Sequence, residues 1–135
     1  MKTPDRRVVD LMTRGIHEID HDRPLLEAAR AMQKNHIHAL FVPPARPQDS
    51  LGLITMKDIV QILAHEDEEA LADMLVEDVM TRPAITIPGD MSVRDALRMM
   101  RMCGIRRAPV LHQGGIGGVF TYSDILRAIL GDEER

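Results

Sequence analysis

An internal repeat constrains the fold of this 135-residue chain more than any other feature of its sequence. Residues 10–14, DLMTR, return as DVMTR at residues 78–82, at an offset of 68 residues. After a loop that is two residues shorter in the second copy, GLITMKDI at 52–59 matches GVFTYSDI at 118–125. Similarity that keeps one register over such a length is the signature of a repeated structural unit. The chain is therefore predicted to contain two copies of one unit of about 60 residues.

Both copies show the same order of patterns, in which short β-branched runs alternate with segments of helical periodicity. In the second copy these patterns predict strands at 84–87, 108–111 and 117–121, a helix from Ser92 to Gly104, and a last helix from about Ser123. In the first copy they predict strands at 16–19, 39–42 and 51–55 and helices at 24–35 and 58–64. Helical segments at 5–12 and 70–79 are predicted to lead into the two copies.

The predicted fold class is α/β, with each copy a small three-stranded sheet that carries helices on one face. A single copy would leave apolar surface uncovered, so the two copies are expected to pair about a pseudo-twofold axis. Along the chain, residues 1–64 are assigned to the first repeat with its lead-in helix and residues 76–135 to the second repeat. Residues 65–75 are a charged connector and the start of the second lead-in helix.

Composition narrows the functional classes. A formal charge of -4 with two Phe, one Tyr and no Trp does not favour a nucleic-acid partner, which needs a basic surface and stacking side chains. No apolar run approaches the ~20 residues of a membrane span, and the N-terminus lacks the apolar stretch of a signal peptide, so a cytoplasmic protein without membrane contact is expected. The lone Cys103 lies on the apolar stripe at the end of a predicted helix and is expected to be a small residue of the hydrophobic core. His36 and His38 are expected to face solvent, because a metal site would need further ligands nearby.

Three motifs of the second copy stand in a fixed order: DVMT before the first strand, APVL on the second strand, and GxxTxxD between the third strand and the last helix. This ordered set, which recurs in altered form in the first copy, resembles a pair of CBS domains, also called a Bateman module. The resemblance implies a stand-alone regulatory module that binds AMP, ADP, ATP or S-adenosylmethionine in clefts between the two copies. It further implies a homodimer that signals by conformation to an unknown protein partner and needs no cofactor, metal or catalytic residue.

By this resemblance, the GxxTxxD motif supplies Thr121 and Asp124 to one ligand site and Thr55 and Asp58 to the other. An aspartate can accept hydrogen bonds from both ribose hydroxyls, and a threonine hydroxyl can donate to a phosphate. The alternative is that these aspartates only cap the helices that they begin. If Asp124 binds the ligand, Asp124→Ala is expected to weaken binding at one site and to leave the fold intact.

The resemblance also implies cationic and apolar ligand contacts. Arg106 and Arg107 precede the APVL strand and are candidate phosphate ligands, because a guanidinium can contact two oxygens at once. His38 is the candidate in the first copy, and an ordinary solvated arginine pair is the alternative for the second. The adenine is expected to lie against aliphatic residues of the strands, namely Ile16, Ala84, Ile85, Ala108, Pro109 and Val110.

The first copy departs from the motif, since Phe41 stands where the second copy has Pro109, and His17 and Glu18 lie in its first strand. Phe41 would narrow a cleft, and an inward Glu18 would repel phosphate, so the two sites are expected to be unequal. A ligand-free scaffold with degenerate clefts is therefore the alternative function. An enzyme is the least supported class, because no nucleophile with a base partner and no metal constellation is found.

Overall fold

The structure, a computed structural model that describes residues 1–131, divides into two compact units that do not follow the order of the repeat. One, here called the terminal unit, combines residues 1–16 with the residues from Ile85 onward. The other, the central unit, is the continuous stretch His17–Ala84. This grouping differs from the division into residues 1–64 and 76–135 that the order of the sequence suggests. Each lead-in segment packs with the copy other than the one that follows it in the chain.

The fold class is α/β, as predicted, and the elements alternate along the chain. The helices are α1 (Val8–Leu11), α2 (Leu25–Asn35), α3 (Met56–Ile62), α4 (Ala70–Asp73), α5 (Val93–Cys103) and α6 (Tyr122–Leu130), with 3₁₀ turns at Thr3–Asp5 and Val76–Asp78. The strands are β1 (Thr13–Arg14), β2 (Ala39–Val42), β3 (Gly52–Thr55), β4 (Ile87–Pro88), β5 (Arg107–His112) and β6 (Gly115–Thr121). No helix within residues 1–131 has both the length and the apolar character needed to cross a bilayer.

The terminal unit is built on a four-stranded sheet in the order β1-β6-β5-β4. β5 and β6 form an antiparallel hairpin, and its turn at Gln113 and Gly114 has positive φ at both positions, as two-residue hairpin turns favour. β4 is parallel to β5, and β1 is antiparallel to β6. One face of this sheet packs against α1, α5 and α6, and the buried core there contains Val8, Leu11, Met12, Ile87, Val93, Ala96, Met100, Ala108, Val110 and Phe120.

The central unit repeats this plan with fewer paired residues. β2 and β3 form an antiparallel pair, to which Thr81 adds an antiparallel bridge at Leu53 and Glu18 a parallel bridge at Phe41. Its core lies between this sheet and helices α2 and α3, and contains Ile19, Leu25, Ala28, Met32, Leu40, Val42, Ile54, Ile59 and Val76. The order of segments across both sheets is therefore the same: a lead-in segment, the third strand of the copy, its second strand and its first strand.

The first strand of each copy is shorter than the sequence predicts. Residues 16–19 form a single bridge at Glu18 in place of a strand, and of residues 84–87 only Ile87 enters β4. A β-branched composition favours an extended chain, but a ladder forms only where a neighbouring strand runs alongside. Ile87 has that neighbour in Val110. The strand number therefore differs in detail from the three predicted for each copy: the terminal sheet has four strands, and the central sheet has two strands with a single bridge on either side.

The predicted helix at 70–79 is broken at Met74, which adopts an extended conformation between α4 and the 3₁₀ turn Val76–Asp78. The Met74 carbonyl accepts the N–H of Leu25 at 2.9 Å, and the N–H of Val76 donates to the carbonyl of Arg23 at 2.8 Å. The first of these bonds satisfies the Leu25 N–H, one of the N–H groups at the start of α2 that lack partners within the helix, and the second ties Val76 to the segment before α2. Tertiary hydrogen bonds thus override the helical pattern.

The long helix of the second copy begins and ends where the sequence predicts. Ser92 caps α5 by accepting the Asp95 N–H at 3.1 Å, and Gly104 ends it in the left-handed conformation with φ of 69°. Cys103, the last residue of α5, is exposed, so the expectation of a core cysteine was wrong. The apolar face of α5 is already filled by residues one turn earlier, and the cysteine lies beyond it.

Candidate functional site

Two strand–helix junctions carry the predicted GxxTxxD residues. The central junction joins β3 to α3 and contains Thr55 and Asp58, and the terminal junction joins β6 to α6 and contains Thr121 and Asp124. In both, the threonine is the N-cap: its N–H donates to the aspartate Oδ2 (2.9 and 2.8 Å), and its Oγ1 accepts the aspartate N–H (3.2 and 3.3 Å). Both aspartates therefore act as caps, whatever further role each has.

The terminal junction holds a carboxylate that is completely enclosed. The side chain of Asp124 is 0% exposed. Its Oδ1 accepts a hydrogen bond from Thr13 Oγ1 at 2.7 Å and one from Arg127 Nη1 at 2.9 Å. Its Oδ2 accepts the N–H of Thr121 and also lies 3.2 Å from Thr121 Oγ1. A buried charge requires such compensation, and here each oxygen has two neighbouring donors.

This enclosure gives a physical reason to expect that Asp124→Ala affects folding as well as binding. Removing the carboxylate would leave the Thr13 hydroxyl, the Thr121 N–H and the Arg127 guanidinium without their acceptor. A buried donor that loses its acceptor costs about 1–3 kcal/mol. Arg127 is 57% exposed and Thr13 is exposed, so water can replace the acceptor for both, and we expect the lost cap at Thr121 to account for most of the destabilisation.

The central junction is more open. Asp58 is half-buried, and within residues 1–131 its carboxylate accepts only the N–H of Thr55. Thr81 occupies the place that Thr13 has in the other unit, and its backbone pairs with Leu53 through two 2.9 Å bonds. Gln61 occupies the place of Arg127. The second oxygen of Asp58 therefore keeps its capacity to accept hydrogen bonds.

The predicted cationic residues lie near the starts of β2 and β5. Arg107 is half-buried and directly opposite Thr121 in the β5–β6 ladder, so both side chains stand on one face of the sheet. Arg106 precedes β5 and is exposed. His38 precedes β2 and is also exposed, and its carbonyl accepts the Met56 N–H at 2.8 Å at the start of α3.

The predicted adenine contacts are not on one surface. Ala108 and Val110 are fully buried in the core of the terminal unit, on the face of the sheet that meets the helices, so they offer no surface to a ligand. Pro109 is buried on the opposite face by the alternation of the strand. Ile16 and Ala84 are half-buried, and Ile85 is exposed. The position of Phe41 matches that of Pro109, and it is also buried.

The structure adds two side chains to those that the sequence motifs predict at the junctions. Thr13 and Arg127 complete the terminal junction by donating to Asp124. Arg127 and Asp124 also border a groove of about 340 Å³, together with Arg6 and Asp10. The repeat points to both positions, because alignment of the two copies pairs Thr13 with Thr81 and Arg127 with Gln61. A larger apolar groove of about 690 Å³ lies between α2 and α3.

His36 and His38 are exposed, as predicted, and border one end of the apolar groove. Among residues 1–131, no three His, Cys, Asp or Glu side chains are arranged to hold a metal ion.

Comparison with known proteins was made for sequence and for structure. A protein of Methanopyrus kandleri is 29% identical over 103 residues, which are 76% of this chain and 52% of the relative, so the chain spans about half of that protein. A conserved protein of Pyrococcus horikoshii superposes with a TM-score of 0.81 at 26% identity and covers 100% of this chain and 99% of that one.

A third similar structure is the CBS domain pair of protein MJ0100, in complex with 5′-methylthioadenosine and S-adenosyl-L-methionine. It has a TM-score of 0.75 at 27% identity and covers 96% of this chain and 100% of that chain. The family model for the CBS domain matches residues 8–65 and again residues 76–131. With both repeats matched, this chain belongs to the CBS domain family.

Proposed function

We propose that this chain is a regulatory module that binds an adenosine-containing ligand and passes the bound state to a partner protein. The observation that carries the proposal is the half-buried Asp58 carboxylate, which retains an unused acceptor at the central junction. A ribose presents two adjacent hydroxyl donors, and a carboxylate can accept both. The adenosine compounds bound to the related MJ0100 pair support the same ligand class.

The ligand class is limited by the charges near the central junction. The position opposite Thr55 in the β2–β3 ladder is Ala39, where the terminal unit has Arg107. His38 is the nearest predicted cation on that side and is charged only when protonated. S-adenosylmethionine, which has no phosphate, and AMP, which has one, need fewer cationic contacts at this junction than ADP and ATP, so we rank them first among the four candidates.

Calorimetric titration of the chain tests the proposal. We expect saturable heat with at least one of AMP, ADP, ATP and S-adenosylmethionine, together with a rise in Tm, because a ligand that binds only the folded state stabilises it. GMP is the matched control, since it keeps the ribose and phosphate but changes the base. Absence of heat and of a Tm change with all four adenosine compounds would contradict the proposal.

Signalling requires that the ligand bind two conformations with different affinity. We propose that a homodimer provides them, and the exposed apolar stripes on α3 and α6 support this. The stripes occupy equivalent positions in the repeat and consist of Met56, Val60 and Leu63 on α3 and Tyr122, Leu126 and Ile129 on α6. We expect Val60→Glu with Leu126→Glu to convert a dimer into a monomer in light scattering, and an unchanged mass would remove these stripes from the interface.

A ligand-free scaffold is the second candidate, and the fully occupied Asp124 favours it for the terminal junction. Denaturing the purified chain and analysing the released small molecules by mass spectrometry distinguishes the two functions, because a bound adenosine compound contradicts a scaffold. We also propose that the chain has no catalytic activity of its own, and formation of ADP from ATP would contradict this. The cytoplasmic location and the identity of the protein partner stay predictions.

A further inference from the structure

The repeat provides a matched comparison within one chain. Both junctions have the same backbone: a lead-in threonine pairs antiparallel with the third strand, at Thr13 with Val119 and at Thr81 with Leu53. Both also have the same two capping bonds between threonine and aspartate. Differences between Asp58 and Asp124 therefore come from the side chains around them and not from the fold.

Two side chains make the difference. Thr13 and Arg127 both donate to Asp124 Oδ1, at 2.7 and 2.9 Å. Their counterparts Thr81 and Gln61 make no hydrogen bond to Asp58 within the described part of the chain. The outcome is a carboxylate that is 0% exposed in one unit and half-buried in the other.

Ligand binding at Asp124 would have to undo this arrangement. A ribose would replace a guanidinium donor by a neutral hydroxyl, and hydrogen bonds between charged groups are roughly twice as strong as neutral ones. It would also release Thr13, the residue that connects β1 to the start of α6. Gly118 allows that connection, because a methyl group there would stand 2.3 Å from the Thr13 carbonyl oxygen.

We propose that the two equivalent aspartates have divided roles: Asp124, closed by Thr13 and Arg127, anchors the N-terminal segment to the terminal unit, and Asp58 alone serves the ligand. The ligand half of this inference rests on the proposed function. The anchor half does not, because it concerns contacts within the terminal unit.

The ligand half is tested by calorimetry with AMP and with S-adenosylmethionine. Asp58→Asn keeps one capping oxygen but replaces the other by a donor, and we expect it to weaken binding by about tenfold or more. Asp124→Asn, with folding checked by circular dichroism, is expected to stay within about threefold of the unmodified chain. Loss of binding in Asp124→Asn with full binding in Asp58→Asn would overturn the assignment, as would equal losses.

A gain-of-contact variant tests the same assignment without touching either aspartate. Gln61→Arg places a guanidinium three residues after Asp58, as Arg127 stands after Asp124, and we expect it to weaken binding by about tenfold. Gln61→Ala is the matched control, which removes the same side chain without adding a donor, and it should bind normally. Undiminished binding by Gln61→Arg would contradict the role given to Arg127.

The anchor half is tested without any ligand. Thr13→Val and Arg127→Gln are expected to lower Tm by about 3–6 °C and to speed hydrogen exchange at residues 8–14. Thr81→Val is the matched control and should leave exchange at residues 76–82 unchanged. Equal effects of Thr13→Val and Thr81→Val would overturn the anchor. Failure of the unmodified chain to bind any of AMP, ADP, ATP and S-adenosylmethionine would contradict the proposed function and leave the anchor standing.

Discussion

At the scale of single residues, the equivalent aspartates Asp58 and Asp124 differ in burial, since the side chain of Asp124 is fully enclosed and Asp58 is half-buried. The spacing of threonine and aspartate is the same in both copies, and both form the same caps. Asp124 differs because Thr13, 111 residues earlier in the chain, reaches its carboxylate. No local pattern encodes such a contact, since it depends on where the fold brings the lead-in segment.

A contact of His21 predicts a pH dependence of stability. His21 Nδ1 lies 2.5 Å from Glu77 Oε2. This hydrogen bond raises the pKa of His21 above its ordinary value of 6.5, and the charges of Glu77, Asp22 and Asp20 act in the same direction. Burial of the ring opposes the rise. A raised pKa in the folded state means that the stabilisation is complete below pH 6.5 and is lost as pH rises through the folded pKa.

We therefore expect the Tm difference between the unmodified chain and His21→Gln to be largest near pH 5.5 and to shrink by pH 8. Thermal unfolding across this range measures it. His65→Gln, at another exposed histidine, is the control and should show a smaller pH-dependent difference. A difference for His21→Gln that grows with pH would have the wrong sign for this contact.

At the scale of elements, hydrophobic periodicity predicts the central helices and hairpin strands well and the edge segments poorly. β2 has the predicted bounds, and α2 and α5 lie within one residue of theirs, because each buries a continuous apolar face. The strands at 16–19 and 84–87 are reduced to a bridge and to β4, since edge residues pair only where a neighbour is available. Helix 70–79 is divided because its backbone bonds to α2 instead.

The equivalent glycines Gly118 in β6 and Gly52 in β3 are expected to differ in how much a substitution to alanine destabilises the chain. A methyl group at Gly118 would meet the Thr13 backbone oxygen at 2.3 Å, whereas at Gly52 the nearest atom is the flexible Met80 sulfur at 2.9 Å. We expect Gly118→Ala to destabilise the chain by about 1–3 kcal/mol or more, because the backbone of β1 must move, and Gly52→Ala to cost less. Chemical denaturation of the two variants measures this order, which an equal or reversed cost would contradict.

At the scale of the whole molecule, the two units exchange their lead-in segments relative to the order of the repeat. Val8 is fully buried in the terminal unit, and the N–H groups of Val8 and Val9 donate to the carbonyls of Met91 and Gly89 at 2.9 Å. The equivalent Val76 is fully buried in the central unit, where its N–H donates to Arg23. Each copy therefore completes its core with the lead-in segment of the other copy, which for the terminal unit lies at the opposite end of the sequence.

This exchange predicts where a core substitution is felt. Val8→Ala and Val76→Ala each remove buried apolar surface worth about 1–2 kcal/mol. We expect Val8→Ala to speed hydrogen exchange mainly at residues 85–131 and Val76→Ala mainly at residues 17–64. The two variants are controls for each other, and faster exchange at residues 17–64 in Val8→Ala would show that the lead-in segments stay with their own copies.

The sequence alone determined that the chain holds two similar α/β units and where most of their helices and inner strands lie. It also determined that threonine and aspartate begin the last helix of each unit. These features can be read from the sequence because periodicity, caps and repeats are local properties. Tertiary structure decided which lead-in segment completes which sheet and which aspartate is enclosed. These outcomes depend on contacts such as Thr13 with Asp124 and Thr81 with Leu53, which join residues far apart in the chain. The physical reason is that burial and hydrogen-bond satisfaction are properties of the packed molecule, so identical motifs acquire different chemistry when different neighbours surround them.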